Sequence, residues 1–550
     1  MTDKKYLWWQ DGIIYQVYPR SFQDSNGDGI GDLRGIIQRL DYLKGLGIKA
    51  IWLSPIYPSP MADFGYDISD YTGIWPSFGN MADFDELLQK VHAAGMKLIL
   101  DLVSNHSSNE HPWFLESRTS RDNPKRDWYI WRDARPDGSP PNNWLSVFGG
   151  SAWEWDATTK QFYYHAFLKE QPDLNWRNPK VEEAMSGILR FWLDKGVDGF
   201  RVDAMWHMIK DSQLRDNPRN PDYEPHMATY NQLLPLYSTD QPEMHEVTAR
   251  MRKILDEYSE RMMIAEIYLP VNRLVTYYGL NNTEAHLPFN FMLITLPWDS
   301  RQIAVSIDEY EAALPKDAWP NWVMGNHDQP RVPSRIGQQQ AKVAAILLLT
   351  LRGTPTIYYG EEIGMRDVPI PLSEIQDPQG LNMPGKNLSR DPERTPMQWD
   401  SSANAGFTIG KPWLRLDKAF HRENVQVQDQ DSYSNLTLYR RLIQLRQEQP
   451  SLMTGDYKPV YSDEQMIAYI RQAEGHPGFL MVLNFSHRPC YFAPGTFHFK
   501  GTILIDTIPE QEQQVVENTI DLSGDEALLV RVDSWQFISS SQSNEPAQKP

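Results

Sequence analysis

Eight short apolar runs, each followed by sequence of helical period, limit what this 550-residue chain can fold into. They are "GIIYQVYP" (12–19), "IKAIWLSP" (48–55), "MKLILDLVSNH" (96–106), "DGFRVDAM" (198–205), "RMMIAEIY" (261–268), "HLPFNF" (286–291), "NWVMGNHD" (321–328) and "GTPTIYYGEE" (353–362). Near-continuous apolar strands alternating with helices predict a parallel sheet covered on both faces. Eight such units predict a closed (β/α)8 TIM barrel rather than an open doubly wound sheet. The intervening helices carry their own punctuation. "DLRGIIQRLDYLKGLG" begins with Asp32 as N-cap and stops at Gly47, and "MADFDELLQKVHAAG" stops at Gly95.

The alternation breaks after the third strand. Residues 106–172 are rich in Trp, Pro, Asn, Asp and Arg without long periodicity, which predicts a small inserted domain. A last helix is expected over 433–452, followed by alternating runs such as "QMIAYIRQ" and "GFLMVLNFS" that predict an antiparallel β domain. The expected organisation is barrel at 1–104 and 176–452, inserted domain at 105–175, β domain at 453–537 and a disordered polar tail at 538–550.

Charge narrows the partners. A formal charge of −19 argues against nucleic acid or an anionic membrane, since phosphate binding needs clustered Lys and Arg. No run approaches the ~20 apolar residues of a membrane span; "AKVAAILLLTL" (341–351) reads as a buried helix. The single cysteine, Cys490, precludes an intramolecular disulfide, and the N-terminus lacks the apolar core of a signal peptide. A soluble, cytoplasmic monomer with no organic cofactor is expected.

In a TIM barrel the C-terminal strand ends make the active site. Asp203, Glu266 and Asp328 end strands four, five and seven, with His106 and His327 also at strand ends. Two converging carboxyls suggest glycoside hydrolysis, one attacking the anomeric carbon and one protonating the leaving oxygen. Arg201, two residues before Asp203 and on the same strand face, is expected to keep Asp203 ionised. A buried Arg–Asp pair that only fixes the barrel is the alternative.

The ordered segments "DLVSNH" (101–106), "GFRVDAM" (199–205), "IAEIY" (264–268) and "MGNHDQPR" (324–331), with "QPDLNW" (171–176) and "RTPMQW" (394–399), resemble those of the α-amylase family, glycoside hydrolase family thirteen. The last two resemble its α-glucosidase and oligo-1,6-glucosidase branch, and the likeness covers about residues 6–540. The resemblance implies that Asp203 is the nucleophile, Glu266 the acid/base and Asp328 a binder of the distorted sugar. It implies that Arg201, His106 and His327 hold the ring, that Tyr66 stacks beneath it, and that Phe148, Phe167 and Gln171 line the pocket. Asp67 and Arg394 resemble the pair that grips the non-reducing 4-hydroxyl and makes such enzymes exo-acting. Ala204 stands where relatives preferring α-1,6 bonds tend to have Val, which implies an α-1,4 preference. A retaining exo-α-glucosidase acting on a small neutral sugar is therefore expected. Its rivals are a transglucosylase or sucrose/maltose isomerase with the same machinery, and a non-catalytic family member.

"DSNGDGIGD" (24–32) fails as a dinucleotide fingerprint, because Asp32 stands where the third Gly belongs. Asp24, Asn26, Asp28, the Ile30 carbonyl and Asp32 instead follow the spacing of a Ca²⁺ loop, although Gly35 replaces the usual final Glu. A structural Ca²⁺ or Mg²⁺ is expected there, as in similar loops of the α-glucosidase branch. A solvated acidic turn is the alternative.

Overall fold

The computed structural model describes residues 6–538, so the tail expected at 538–550 lies outside the described residues except for Ile538. Each of the eight apolar runs contains one strand: β1 (Ile14–Val17), β2 (Ala50–Leu53), β3 (Lys97–Leu102), β4 (Gly199–Val202), β5 (Met262–Ala265), β6 (Leu287–Pro288), β7 (Asn321–Val323) and β8 (Thr354–Tyr358). They form one sheet in the order β7-β8-β1-β2-β3-β4-β5-β6, every pair parallel. The remaining seam, between β6 and β7, is bridged by a side chain. Asn321 Nδ2 donates to the Pro288 carbonyl at 2.6 Å, and its Oδ1 accepts from Asn290 N at 2.9 Å.

Strand periodicity sorts the side chains into two layers. Ile14, Ala50, Trp52, Ile99, Met262 and Ile264 pack together inside the barrel. Their neighbours Tyr15, Ile51, Leu98, Leu100, Phe200, Val202 and Met263 pack outward among the helices. Gly199 is small for a reason: a Cβ there would lie 2.6 Å from the Met262 carbonyl oxygen on β5.

The expected helix over 32–47 is two helices, Leu33–Gln38 and Leu40–Leu46, hinged at Arg39. Arg39 leaves helical geometry while its guanidinium donates to Gln23 Oε1 and stacks 4.1 Å over the Trp399 ring. Gly47 ends the second helix in the left-handed region, at φ 89°.

Between β3 and the helix Pro179–Lys195, strands at Trp131–Arg132, Gln161–Tyr164 and Trp153–Asp156 form a small antiparallel sheet around Trp144 and Trp153. At the C-terminal end a six-stranded antiparallel sheet runs from Asp456–Ser462 to Ala527–Phe537. One of its faces carries Ile467, Tyr469, Phe479, Met481 and Leu483 into the same core as the barrel helices. The other holds a separate core of Ala468, Ile470, Leu480 and Val482.

Candidate active site

The alternation that points Ile99 and Ile264 inward does the same for Asp101, Arg201, Asp203 and Glu266 at the strand tops. The ladder reaches past the strand ends to hold both acids: Asp203 N donates to the Leu102 carbonyl and Glu266 N to the Val202 carbonyl, each at 3.0 Å. A single guanidinium then joins three carboxyls. Arg201 Nη1 lies 2.7 Å from Asp203 Oδ1 and 2.8 Å from Asp101 Oδ1, and Nη2 lies 2.9 Å from Glu266 Oε2. Ala204 N donates to the same Glu266 oxygen at 2.7 Å. That donation needs Ala204 at φ 41°, ψ 40°, a left-handed conformation that alanine rarely adopts.

Burial raises Asp203 well above the ordinary carboxylate range, and Arg201 lowers it only in part, with Glu266 and Asp101 pushing it up again. Arg201 was expected to dominate; desolvation dominates instead, because one cation serves three carboxyls. Burial raises Glu266 as well, against Arg201. Asp101 is raised by burial too, so all three acids around the one guanidinium shift upward. Asp101 is the most buried of them and the best hydrogen-bonded, accepting also from Trp52 Nε1 at 3.3 Å and Tyr66 OH at 3.1 Å. Asp203 Oδ2 and Glu266 Oε1 accept no hydrogen bond among the described residues, and both side chains line the cavity.

Asp328 behaves differently. Burial pushes it up, but His327, Arg390 and Arg394 beside it pull harder and hold it below the ordinary carboxylate range. Burial drives His327 down, with Asp328 beside it pulling the other way. Its ring stacks on Tyr66, centroids 5.2 Å apart, with Nε2 2.6 Å from the Tyr66 hydroxyl. His106 is likewise lowered by burial, to about 4, with Nε2 3.1 Å from the Tyr66 carbonyl.

A cavity of about 650 Å³ opens over the acids, within the range of small-ligand sites. Asp203, Glu266, Asp328, Tyr66, His106, His327, Phe148, Phe167 and Ala204 all line it. Arg201 does not; it lies beneath the acids, 1% exposed. Gln171 is also behind the wall, donating from Nε2 to Asp63 Oδ2 at 3.0 Å.

The expected pair Asp67 and Arg394 does not form. Asp67 is fully buried and turned into its own loop, where it accepts from Ser59 Oγ, Ala62 N and Asp63 N. Desolvation raises it to about 6. Arg394, also fully buried, donates to the His327 carbonyl and to Asp328 Oδ1 from outside the cavity. The pair that does line the cavity is Asp63 and Arg390, with Arg390 Nη2 2.7 Å from Asp63 Oδ1 and Nη1 3.1 Å from Asp328 Oδ1. Each is four residues upstream of the one expected. "DFGYD" (63–67) and "RDPER" (390–394) offer two acids and two arginines, and spacing alone does not choose between them. Asp101 and His207 also escaped the sequence reading. The inward phase of Asp101 on β3 was the signal for the first.

The loop at residues 24–32 supplies hard oxygen donors at the expected spacing, but they are turned onto backbone amides. Asp24 accepts from Asn26 N, Gly27 N and Gly29 N and from Thr408 Oγ1. Asn26 accepts from Asp28 N, and Asp28 from Ile30 N. Asp32 accepts from Ser25 and caps Gly35 N. Among the described residues no three acidic groups converge as a cation cage.

A TIM barrel with Asp203 and Glu266 sharing one guanidinium at the strand tops, beneath an open cavity, suits acid-assisted displacement at a sugar carbon. The α-amylase catalytic-domain family model matches residues 16–455, and the chain belongs to that family. It is 41% identical over 494 residues to a probable α-glucosidase of Rhizobium meliloti, covering 87% of this chain and 89% of that protein. It is 40% identical over 536 residues to an oligo-1,6-glucosidase of Parageobacillus thermoglucosidasius, covering 91% and 94%. Among solved structures it is similar to an α-glucosyl transfer enzyme, XgtA, with a TM-score of 0.90 and 38% identity over 96% of this chain and 99% of that one.

Proposed function

We propose that the protein is a retaining, exo-acting α-glucosidase that releases glucose from the non-reducing end of short α-glucosides, favouring α-1,4 links. The observation that carries this is the Asp203–Arg201–Glu266 arrangement at the head of β4 and β5, opening into the cavity. Asp203 attacks the anomeric carbon while Glu266 protonates the leaving oxygen; Glu266 then activates water against the glucosyl-enzyme. Asp328, held ionised by its arginines, binds the distorted ring's hydroxyls. Asp63 and Arg390 take the end-gripping role first assigned to Asp67 and Arg394. Both line the cavity as an ion pair, and a pair placed there would close the space behind one glucose, which is the support for exo action.

A transglucosylase or sucrose/maltose isomerase is the second reading, since both start from the same covalent intermediate, and the likeness to an α-glucosyl transfer enzyme supports it. A monomer acting in the cytoplasm belongs to the same proposal. The single Cys490, half-buried in the C-terminal sheet, supports a reducing compartment. A Ca²⁺ or Mg²⁺ ion in the loop at residues 24–32 is part of the proposal on the spacing of its oxygen donors alone, and those donors would have to leave their backbone amides to ligate it.

The test is the stereochemistry and the nucleophile together. Hydrolysis of maltose followed by proton NMR is expected to give α-glucose first, and Asp203→Asn is expected to abolish turnover. β-Glucose as first product, or an active Asp203→Asn enzyme, overturns the mechanism.

A further inference from the structure

A buried guanidinium ordinarily has an acceptor. Among the described residues, Arg201, Arg390 and Arg394 meet carboxylates, and Arg126, Arg331, Arg446 and Arg471 donate to carbonyl oxygens. Arg20 meets neither. It lies on the single helical turn Pro19–Phe22 that follows β1, is 7% exposed, and its Nε is buried without a partner. Burial disfavours its charge, and Tyr18 and Asp28 oppose that only through space. Three rings hold it instead. Its Cζ lies 5.2 Å from the ring centre of Phe64, 5.1 Å from that of Trp75 and 4.9 Å from that of Trp413. Their negative faces make up for part of the lost hydration, but they offer no oxygen to the guanidinium's N–H donors. The two Nη atoms are not sealed from solvent as Nε is, so this edge of the group turns outward between the rings.

The surroundings leave cations over, on a chain whose formal charge is −19. Trp413 and Lys411 line a second cavity of about 1060 Å³ that shares no residue with the catalytic one. Neither Lys411 nor Lys418, on the same wall, joins an ion pair among the described residues. The acids of that wall are engaged: Glu374 accepts twice from Arg415, and Asp417 accepts from Arg366 and from Ala419 N. Asp28 accepts from Ile30 N at 2.8 Å within its own loop. Gln376 and Asn404, which also line the cavity, donate to the Trp413 and Gly410 carbonyls and keep their amide oxygens free.

We propose that the Nη edge of Arg20, with Lys411 beside Trp413, is an oxoanion site that binds a phosphate group, either free or carried by a phosphorylated sugar. A phosphate supplies both things Arg20 lacks, a counter-charge and oxygen acceptors. Two parallel N–H groups match two of its oxygens in a way a single-point cation does not. Phe64, Trp75 and Trp413 are each only half-buried, so ring surface remains for a sugar carried by the phosphate to lie against. None of these residues lines the catalytic cavity, so the inference stands apart from the glucosidase reading.

The experiment titrates the full chain with inorganic phosphate and, separately, with glucose 6-phosphate, followed by calorimetry. The catalytic cavity is filled beforehand with a saturating aza-sugar inhibitor, so that binding there does not register. Saturable binding at one site is expected, with a melting temperature that rises as the site fills. Arg20→Lys keeps the charge and loses the fork, and is expected to weaken binding by about 10-fold, the worth of one charge-assisted hydrogen bond. Lys411→Ala, at an exposed side chain that the fold does not need, is expected to weaken it as well. Tighter binding of glucose 6-phosphate than of phosphate identifies the monoester as the ligand, and equal affinity identifies the free anion. No saturable binding of either probe by the parent, or affinities unchanged in both variants, overturns the inference and leaves the ring cage as the whole of Arg20's role. The parent titration needs no variant, so a poorly folded Arg20→Lys protein does not shield the inference.

Discussion

Ala204 shows how one residue joins specificity to catalysis. Its side chain lines the cavity next to the nucleophile, while its amide holds Glu266. Valine would add two methyl groups to the wall and also force a β-branched residue into the left-handed region. Ala204→Val is therefore expected to lower kcat/KM for maltose more than for isomaltose, by about 10-fold or more. It should also lower the melting temperature, by strain of about 1–2 kcal/mol. Ala204→Gly keeps the turn without strain and should melt no lower than the parent. A valine variant with an unchanged substrate ratio and an unchanged melt removes both arguments. Strand phase made the catalytic acids legible at this scale, because Asp203 and Glu266 continue the inward series of β4 and β5. The gripping pair was not legible. Choosing Asp63 over Asp67 depends on which carboxylate the loop turns onto its own amides, and that is settled by Ser59 and Ala62 in three dimensions.

At the scale of elements, the strands were readable and their ends were not. "DGFRVDAM" looks like one strand, yet the ladder stops at Val202 and the last residues turn to present Asp203 and Ala204. The break at Arg39 was hidden because its causes, Gln23 and Trp399, lie far from the helix pattern. The loop at residues 24–32 is the element whose role is most open to test. It is stitched to the segment 407–413, Asp24 N donating to the Phe407 carbonyl and Trp413 N to the Gly29 carbonyl, so an ion there would brace two distant parts of the chain. An ion that binds only the folded state stabilises it by mass action. A chelator is expected to lower the melting temperature before it reduces kcat for maltose. An unaltered melt, with no Ca²⁺ or Mg²⁺ found by elemental analysis, leaves the self-capped turn as the better description.

At the scale of the whole molecule, the C-terminal sheet is distinct in topology and yet continuous with the barrel in its core. Phe479, Met481 and Leu483 face the helix Gln340–Thr350, whose apolar residues are buried on every side. A surface helix would show a polar face; this one has almost none, because the barrel covers one side and the sheet the other. The Tyr469 hydroxyl sits 2.6 Å from Thr350 Oγ1, and Arg471 donates to the Thr350 carbonyl, so the helix end is tied as well. Two bodies sharing one core unfold together, since opening the interface alone would expose that helix to water. Calorimetry is therefore expected to show a single cooperative transition. Leu483→Ala, a large-to-small change in the shared core, should cost about 2–5 kcal/mol. It should lower the unfolding temperature and the temperature of activity loss by the same amount, although Leu483 lies outside the catalytic cavity. Two resolved transitions, or a variant whose sheet melts early while the barrel keeps its activity, would show that the sheet is an appendage rather than part of the barrel's core.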